Sequence, residues 1–541
     1  MACSKVLSGN LPELTDEILQ YFKKDISTLY SCILVNRLWC RLAIPLLWED
    51  PFSIHNQNYR CIGTYLCFLN EDSKAKFNEY GINDKLLLSN TLFNYPSFIK
   101  YLDTYKVCCS TKKWVSTSVG KGNEKLESLV YRYLFEVFIE NEGILHSFEV
   151  ALPTGIDHKY FYDNMDLILK NPNFTCNIKN LKLDSNDDIP FENTIITFLK
   201  FLYSNCNSIS SIFLKFFIYD INNCSLIEKH SSQMIVSQHN IKKISFESNP
   251  ILYNLLLSLK NSNCSNTLNT IIFHYTDFKN VVSILQEVFD HLNVLESIHL
   301  IYCRSLNPDF VKQIIKVNKP FKLRSLFMDE ILHIGSLQLL LEKFSDCLEN
   351  FGFGLMSDEC DGPRRQLFKL IMKYCTKIKY FDSGIPDDIN IYLFIKNNQH
   401  SINYLTIEID FHDDCAGLSS SVLQNLGQVL PSKLEYLCLT LLFNISDLEI
   451  FLKNSQNTFI KKLIIGHIMQ IKDENILLYI KEYIMKKEKV KYLAIMFDDD
   501  LENELFYLKD EVNEFKLHNI IVRKFFDLYI DVYDFIDDFN N

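Results

Sequence analysis

No apolar stretch in these 541 residues approaches the roughly 20 residues that a helix needs to cross a bilayer, so no membrane association is expected. Positive charge is also short. There are 55 Lys and Arg against 67 Asp and Glu, a formal net charge of -12. Phosphate binding needs clustered basic side chains, so nucleic acid is excluded as a main partner, and a basic protein or peptide fits better. The 17 cysteines follow no regular interval, and no Cys-x-x-Cys pair exists to suggest zinc or redox chemistry. Met1 to Asn10 holds no apolar core of a secretory signal, so the expected compartment is reducing, cytoplasmic and/or nuclear. The cysteines, Cys108-Cys109 included, are then expected to be packed thiols. The sequons at Asn173 and Asn223 are expected to be chance occurrences.

Signatures of catalysis are missing too. There is no His-Glu-x-x-His, no Gly-x-Ser-x-Gly and no cysteine with an obvious base partner. Gly120-Lys121-Gly122 lacks the remainder of a phosphate loop and reads as surface. Gly352-Phe353-Gly354 lacks the third glycine and following helix of a dinucleotide site and reads as part of a repeat strand. The carboxylate pairs Asp187-Asp188 and Asp387-Asp388 fall in turns, where solvation leaves their pKa values ordinary. Asp498 to Asp500 and the tail Asp531 to Asp538 read as solvated surface with at most weak affinity for cations. No catalytic residue, metal or cofactor is assigned, and the protein is expected not to be an enzyme.

What the chain does have is recurrence. Fourteen times between Leu145 and Val522 an apolar residue is followed by two fillers, an apolar residue, one filler and a third apolar residue. Ile178-Leu181-Leu183, Leu295-Ile298-Leu300 and Val490-Leu493-Ile495 are clear instances; Ile378-Phe381-Ser383 and Leu517-Ile520-Val522 are looser. The mean spacing, about 28.6 residues, lies inside the window for short solenoid repeats of about 20 to 29. Alternation over the last three positions is the period of a strand with one buried face. Helical spacing follows the strand, as in Val281, Leu285, Val288 and Leu292, or Val422, Leu426 and Val429. A strand, a turn and a helix of this size cannot bury their apolar faces alone, so each unit needs its neighbour. The expected fold class is α/β, a solenoid with parallel strands on the concave face and helices on the convex face.

Over about residues 145 to 525 the chain resembles the leucine-rich repeat family. In that family an Asn or Cys three positions after the last apolar residue satisfies backbone groups in the turn. Asn186, Asn249 and Cys303 fit, whereas Thr276, Met356, Pro386, Leu442 and Ile468 do not, which implies an irregular array.

The first fifty residues differ. Thr15 with Asp16 and Glu17 reads as a helix start, and Asp25 with Ser27 as a second, ahead of an apolar stretch from Leu29 to Leu47. Such short helices expose more apolar surface than they can hide among themselves, which marks a partner site. Leu11-Pro12, Glu17-Ile18-Leu19, Phe22, Leu29, Val35-Asn36-Arg37-Leu38-Trp39 and Leu47-Trp48 together resemble the F-box, with Asn36 where the family often has Cys. The resemblance implies that Leu11, Pro12, Ile18, Leu19, Val35 and Trp39 dock on a Skp-type adaptor, linked through a cullin scaffold to a ubiquitin ligase of the SCF type. The alternative is a leucine-rich-repeat scaffold or inhibitor that assembles partners without ubiquitin transfer. The expected organisation is an F-box-like helical domain at 1–50, a helical connector at 51–141 using Phe77, Leu86 to Leu88, Phe93, Phe98 and Tyr101, and an irregular repeat array with a C-terminal cap at 142–541.

The filler positions face the expected groove. The third position of the phrase holds Tyr380, Tyr404, Tyr436 and Tyr492, with Lys462 between, so these side chains are expected to form one stripe across adjacent strands. Tyrosine presents a rigid ring with a polar tip and is enriched at interface centres. Asp382 and Glu408, with Asp184, Glu247 and Asp329 earlier in the chain, give the groove an acidic lean. These residues are the candidate surface for a target protein.

Overall fold

A computed structural model describes residues 11–23, 25–53, 58–82, 91–120, 122–185, 192–216, 221–248, 251–260, 263–330, 333–354, 361–384, 390–408, 416–443, 445–466, 475–487, 489–497 and 503–539. Several residues named above lie outside this set: Met1 to Asn10, Leu86 to Leu88, Lys121, Asn186 to Asp188, Asn249, Met356, Pro386 to Asp388, Ile468 and Asp498 to Asp500. The chain divides into two compact units, Met1–Leu268 and Asn269–Asn541, a boundary inside the run of repeats.

The first unit begins with three helices, α1 (Pro12–Tyr21), α2 (Ile26–Ile33) and α3 (Arg37–Leu47). Their starts follow local chemistry. Pro12 occupies the first helical position, where its missing N–H costs nothing. Thr15 is therefore not a cap: it is buried inside α1 and its hydroxyl donates to the Leu11 carbonyl. Asp25 caps α2 by accepting from Thr28 N–H, while Ser27 lies within that helix. Asn36 caps α3 by accepting from the backbone N–H groups of Leu38 and Trp39, which gives a physical reason for Asn at that position.

These helices are tied to the repeats through Glu49. Its buried carboxylate pairs with both Lys23 and Lys100, and its carbonyl accepts from the backbone N–H groups of Lys100 and Tyr101. Trp48 packs tilted against Tyr95, with ring centroids 4.2 Å apart. Five strands follow in order, β1 (Tyr101–Asp103), β2 (Ser147–Leu152), β3 (Asn180–Ser185), β4 (Ser211–Phe216) and β5 (Lys243–Glu247), each parallel to the next. The connector thus contains a repeat strand. Its phrase, Ile99-Leu102-Thr104, ends in a threonine whose hydroxyl bridges the Ala151 N–H and carbonyl, each at 3.0 Å, in place of apolar packing.

The second unit continues the pattern with β6 (Thr270–His274), β7 (Ser297–Cys303), β8 (Lys322–Met328), β9 (Asn350–Phe353), β10 (Tyr380–Asp382), β11 (Tyr404–Glu408), β12 (Lys433–Thr440), β13 (Phe459–Gly466), β14 (Val490–Ile495) and β15 (Ile521–Val522). Their order along the sheet is their order in sequence, and every neighbouring pair is parallel. All fourteen phrases thus supply strands. The protein is an α/β repeat array of solenoid type.

One face of each strand packs on helices, as Phe381 on Phe394 at 4.6 Å and Phe353 on Phe368 at 5.2 Å. The stripes predicted for Val281, Leu285, Val288 and Leu292 and for Val422 and Leu426 are buried there. Cys303 donates its thiol to the Phe273 carbonyl of the preceding strand. Gly352 sits on the other face of β9, where a Cβ would lie 2.6 Å from that of Asp382 and 2.8 Å from the Phe327 ring. Since neither neighbour can retreat from a packed strand, Gly352→Ala should cost about 1–3 kcal/mol of stability, read as a lower urea midpoint for the second unit.

Candidate functional site

Parallel pairing aligns the predicted stripe. Tyr380 stands beside Tyr404, Tyr404 beside Tyr436, Tyr436 beside Lys462 and Lys462 beside Tyr492. The row continues the other way through Asn350, Ser325 and His299, where the Asn350 amide donates to Ser325 Oγ at 2.9 Å and His299 Nδ1 lies 2.7 Å from the same oxygen.

The stripe is not an open surface, which corrects the expectation. Tyr380, Tyr436 and Asp382 are buried, while Tyr404, Tyr492, Lys462 and Glu408 are half-buried. The cover is the chain's own C-terminal segment. Phe525 and Leu528 pack with Tyr436, Cys438, Ile464 and Ala494. The Ile530 N–H donates to the Tyr436 hydroxyl at 3.2 Å. Phe535 lies edge-on to both Tyr380, at 4.8 Å, and Tyr404, at 4.6 Å, and Tyr533 stacks on His274 at 5.2 Å. Buried Glu504 fixes the start of the segment by accepting from Phe525 N–H at 3.0 Å.

The tail was therefore misread as wholly solvated. Val532, Tyr533, Phe535 and Ile536 repeat at helical spacing and are buried, while Asp534 and Asp538 face outward on the helix Val532–Phe539. The i, i+3, i+4 spacing between the aspartates was the available signal.

Between the segment and the strands lies a cavity of about 650 Å³. Its wall carries Asp329, Glu330, Asp382, Glu408 and Asp531 against Arg304, with phenols from Tyr275, Tyr302 and Tyr529. Tyr275 and Tyr302 have φ of 46° and 50°, in the left-handed region that non-glycine residues rarely adopt. A register shift between Ile301 and Cys303 accompanies the second. Such a bulge re-aims a side chain, and the Tyr302 hydroxyl donates to Asp382 three strands away at 2.9 Å. Asp382 also accepts from Gly384 N–H.

Burial pushes the Glu408 carboxyl up to about 7. The negative charges of Asp382 and Asp531 push the same way, while hydrogen bonds from Tyr529 and Cys438 pull against them. Burial also lowers Lys462, with Lys461 adding to the effect, and raises Asp329, partly offset by Arg304.

In the first unit the filler carboxylates are neutralised. Lys215 pairs with Glu247 at 2.8 Å and Asp184 at 3.8 Å, and Lys182 pairs with Glu149.

The N-terminal candidates separate into two sets. Leu11, Pro12 and Val35 are exposed and Ile18 is half-buried. Leu19 and Trp39 are instead interior, packed with Leu29, Cys32, Ala43, Leu46 and Leu47. This corrects their place as outward contacts: three helices this short need their largest apolar side chains to hold one another. Leu34, within the apolar stretch, is exposed at 86%; Leu14, exposed at 42%, and the exposed Tyr21 and Tyr30 carried no signal in the motif.

Among the described residues no three His, Cys, Asp or Glu side chains converge to hold a metal ion, and no helix is long and apolar enough to cross a membrane. No protein-family model matches the chain, and no curated protein matches it significantly.

The sign of the Glu408 effect is fixed by its raised pKa. The folded state holds this proton between the ordinary value of 4.5 and about 7, so stability is greatest below that window and falls as pH rises through it. Glu408→Gln should remove this component, making the second unit more stable than wild type at pH 8 by about 1–3 kcal/mol and little different at pH 4. Urea titrations at the two pH values check it; an equal difference at both would show that Glu408 does not titrate in this way.

Proposed function

We propose that the protein is the substrate-recognition subunit of an SCF-type ubiquitin ligase, an F-box protein with leucine-rich repeats. Residues 11–48 dock on a Skp-type adaptor joined to a cullin, and the strand face of the repeats receives a target protein. The observation that carries the reading is the division within α1 to α3. Leu19, Leu29 and Trp39 form an internal core, yet Leu11, Pro12, Leu14, Leu34 and Val35 remain outside it. Apolar side chains left over after a small unit has packed itself favour a partner that covers them. Of these, Leu11 and Pro12 are the Leu-Pro start and Val35 opens the Val-x-Arg-x-Trp signature.

The chain performs no chemistry of its own on this reading. Holding a target beside a ubiquitin-conjugating enzyme makes transfer to a lysine effectively intramolecular, at a local concentration set by the spacing of the two sites. A stacked array suits that task because each repeat is fixed by its neighbours. The expected setting is the cytoplasm or nucleus.

Pull-down with purified Skp-type adaptor is the direct test. The full chain should retain adaptor, and Leu11→Ala with Pro12→Ala, or Val35→Asp alone, should weaken retention at least tenfold. Both variants should keep the wild-type circular dichroism, because these side chains lie outside the core. A wild-type chain that retains no adaptor would leave the scaffold without ubiquitin transfer as the standing alternative.

A further inference from the structure

The segment that closes the strand face of the second unit fits it well in shape and poorly in charge. Its anchors are mainly apolar, Phe525 and Leu528 over β12 to β14 and Val532, Tyr533, Phe535 and Ile536 on the last helix, with hydrogen bonds from Tyr529 to Glu408 and from Ile530 N–H to Tyr436 added. Residues 525–539 contain five aspartates and no lysine or arginine. Asp531 stands on the rim of a cavity whose wall already holds four carboxylates, Asp329, Glu330, Asp382 and Glu408, against one cation, Arg304. Like charges in a partly dehydrated space repel more strongly than in bulk water. The anchors hold the segment down while Asp531 faces the carboxylates of the wall.

We infer that residues 525–539 are a displaceable strap over the receptor face. The polypeptide that displaces them presents aromatic anchors as the strap does, but a lysine or arginine where the strap has Asp531. The inference rests on the reading of this face as the target surface and is independent of adaptor docking.

A tethered strap competes at millimolar effective concentration, so a target that only copied its anchors would lose to it. A target with a cation at the rim gains attraction where the strap meets repulsion. The strap thereby selects for charge, admitting basic segments and rejecting neutral or acidic ones of similar shape. Asp531 also caps the last helix, accepting from Tyr533 N–H at 2.7 Å.

The probes are labelled peptides of residues 523–539, one with the natural sequence and one with Asp531→Arg. They are titrated against the full wild-type chain and against the full chain loosened by Phe535→Ala and Ile536→Ala. The arginine peptide should bind the loosened chain at least tenfold more tightly than the natural peptide does, and should bind wild type at least tenfold more weakly than it binds the loosened chain. Equal affinities of the two peptides, equal binding by the two chains, or no binding at all would overturn the inference.

Should the loosened chain lose hydrogen-exchange protection in β12 and β13, the full chain with Asp531→Asn replaces it. Asparagine keeps the cap and removes the charge. Exchange of the 530–536 amides should then slow severalfold, and unchanged or faster exchange would count against the strap. Adaptor retention should be identical in all these chains, so its failure and the failure of the strap are read separately.

Discussion

In-register parallel pairing is the constraint on which the rest of this protein depends. When each strand aligns with the next at the same phrase position, every choice of side chain is repeated across the sheet beside its own kind. On the helix side this is favourable, because rows of Leu, Ile and Phe make a continuous core. On the other side it creates a problem of matching, since a row of like groups must find partners within the row or from elsewhere.

The two units solve that problem differently. In the first, successive strands alternate the sign of charge: Glu149 meets Lys182, and Lys215 sits between Asp184 and Glu247. Such a face is satisfied by itself and needs no cover. In the second, the row runs through His299, Ser325, Asn350, Tyr380, Tyr404 and Tyr436, short of charge and large in apolar area. His299, Ser325 and Asn350 satisfy one another by hydrogen bonds, while the chain's own Phe525 and Phe535 pack on the tyrosines. The wall below carries more carboxylates than cations among its lining residues, and burial, with the charges of Asp382 and Asp531, raises Glu408. The same face is thus apolar enough to hold an occupant and acidic enough to be selective about which one.

Legibility in the sequence followed the strength of periodic signals. Fourteen phrases marked fourteen strands because three apolar positions in six residues leave little choice of conformation. The strand at Tyr101–Asp103 escaped because Thr104 fills the third apolar position and satisfies Ala151 by hydrogen bonding, a substitution invisible to a hydrophobic pattern. The stripe of tyrosines was readable, since register follows from period. Its cover was not, because five aspartates masked the amphipathic spacing of Val532, Tyr533, Phe535 and Ile536, and because a contact such as Tyr436 to Ile530 joins residues far apart in sequence. Tyr302 was likewise out of reach: its reach to Asp382 depends on a bulge and a left-handed backbone that no local pattern signals.

The N-terminal helices show the same logic on a smaller scale. A motif read as a list of residues treats Leu11, Leu19, Val35 and Trp39 as equivalent, whereas packing makes them opposites. Leu19 and Trp39 must turn inward, since without them α1 and α2 have little to hold them to α3. Leu11 and Val35 are spared that duty because one precedes α1 and the other lies in the short link between α2 and α3, where the backbone points side chains away from the core. Apolar character at such positions adds little to the stability of the isolated chain. On the proposed reading it belongs to a surface completed by the adaptor.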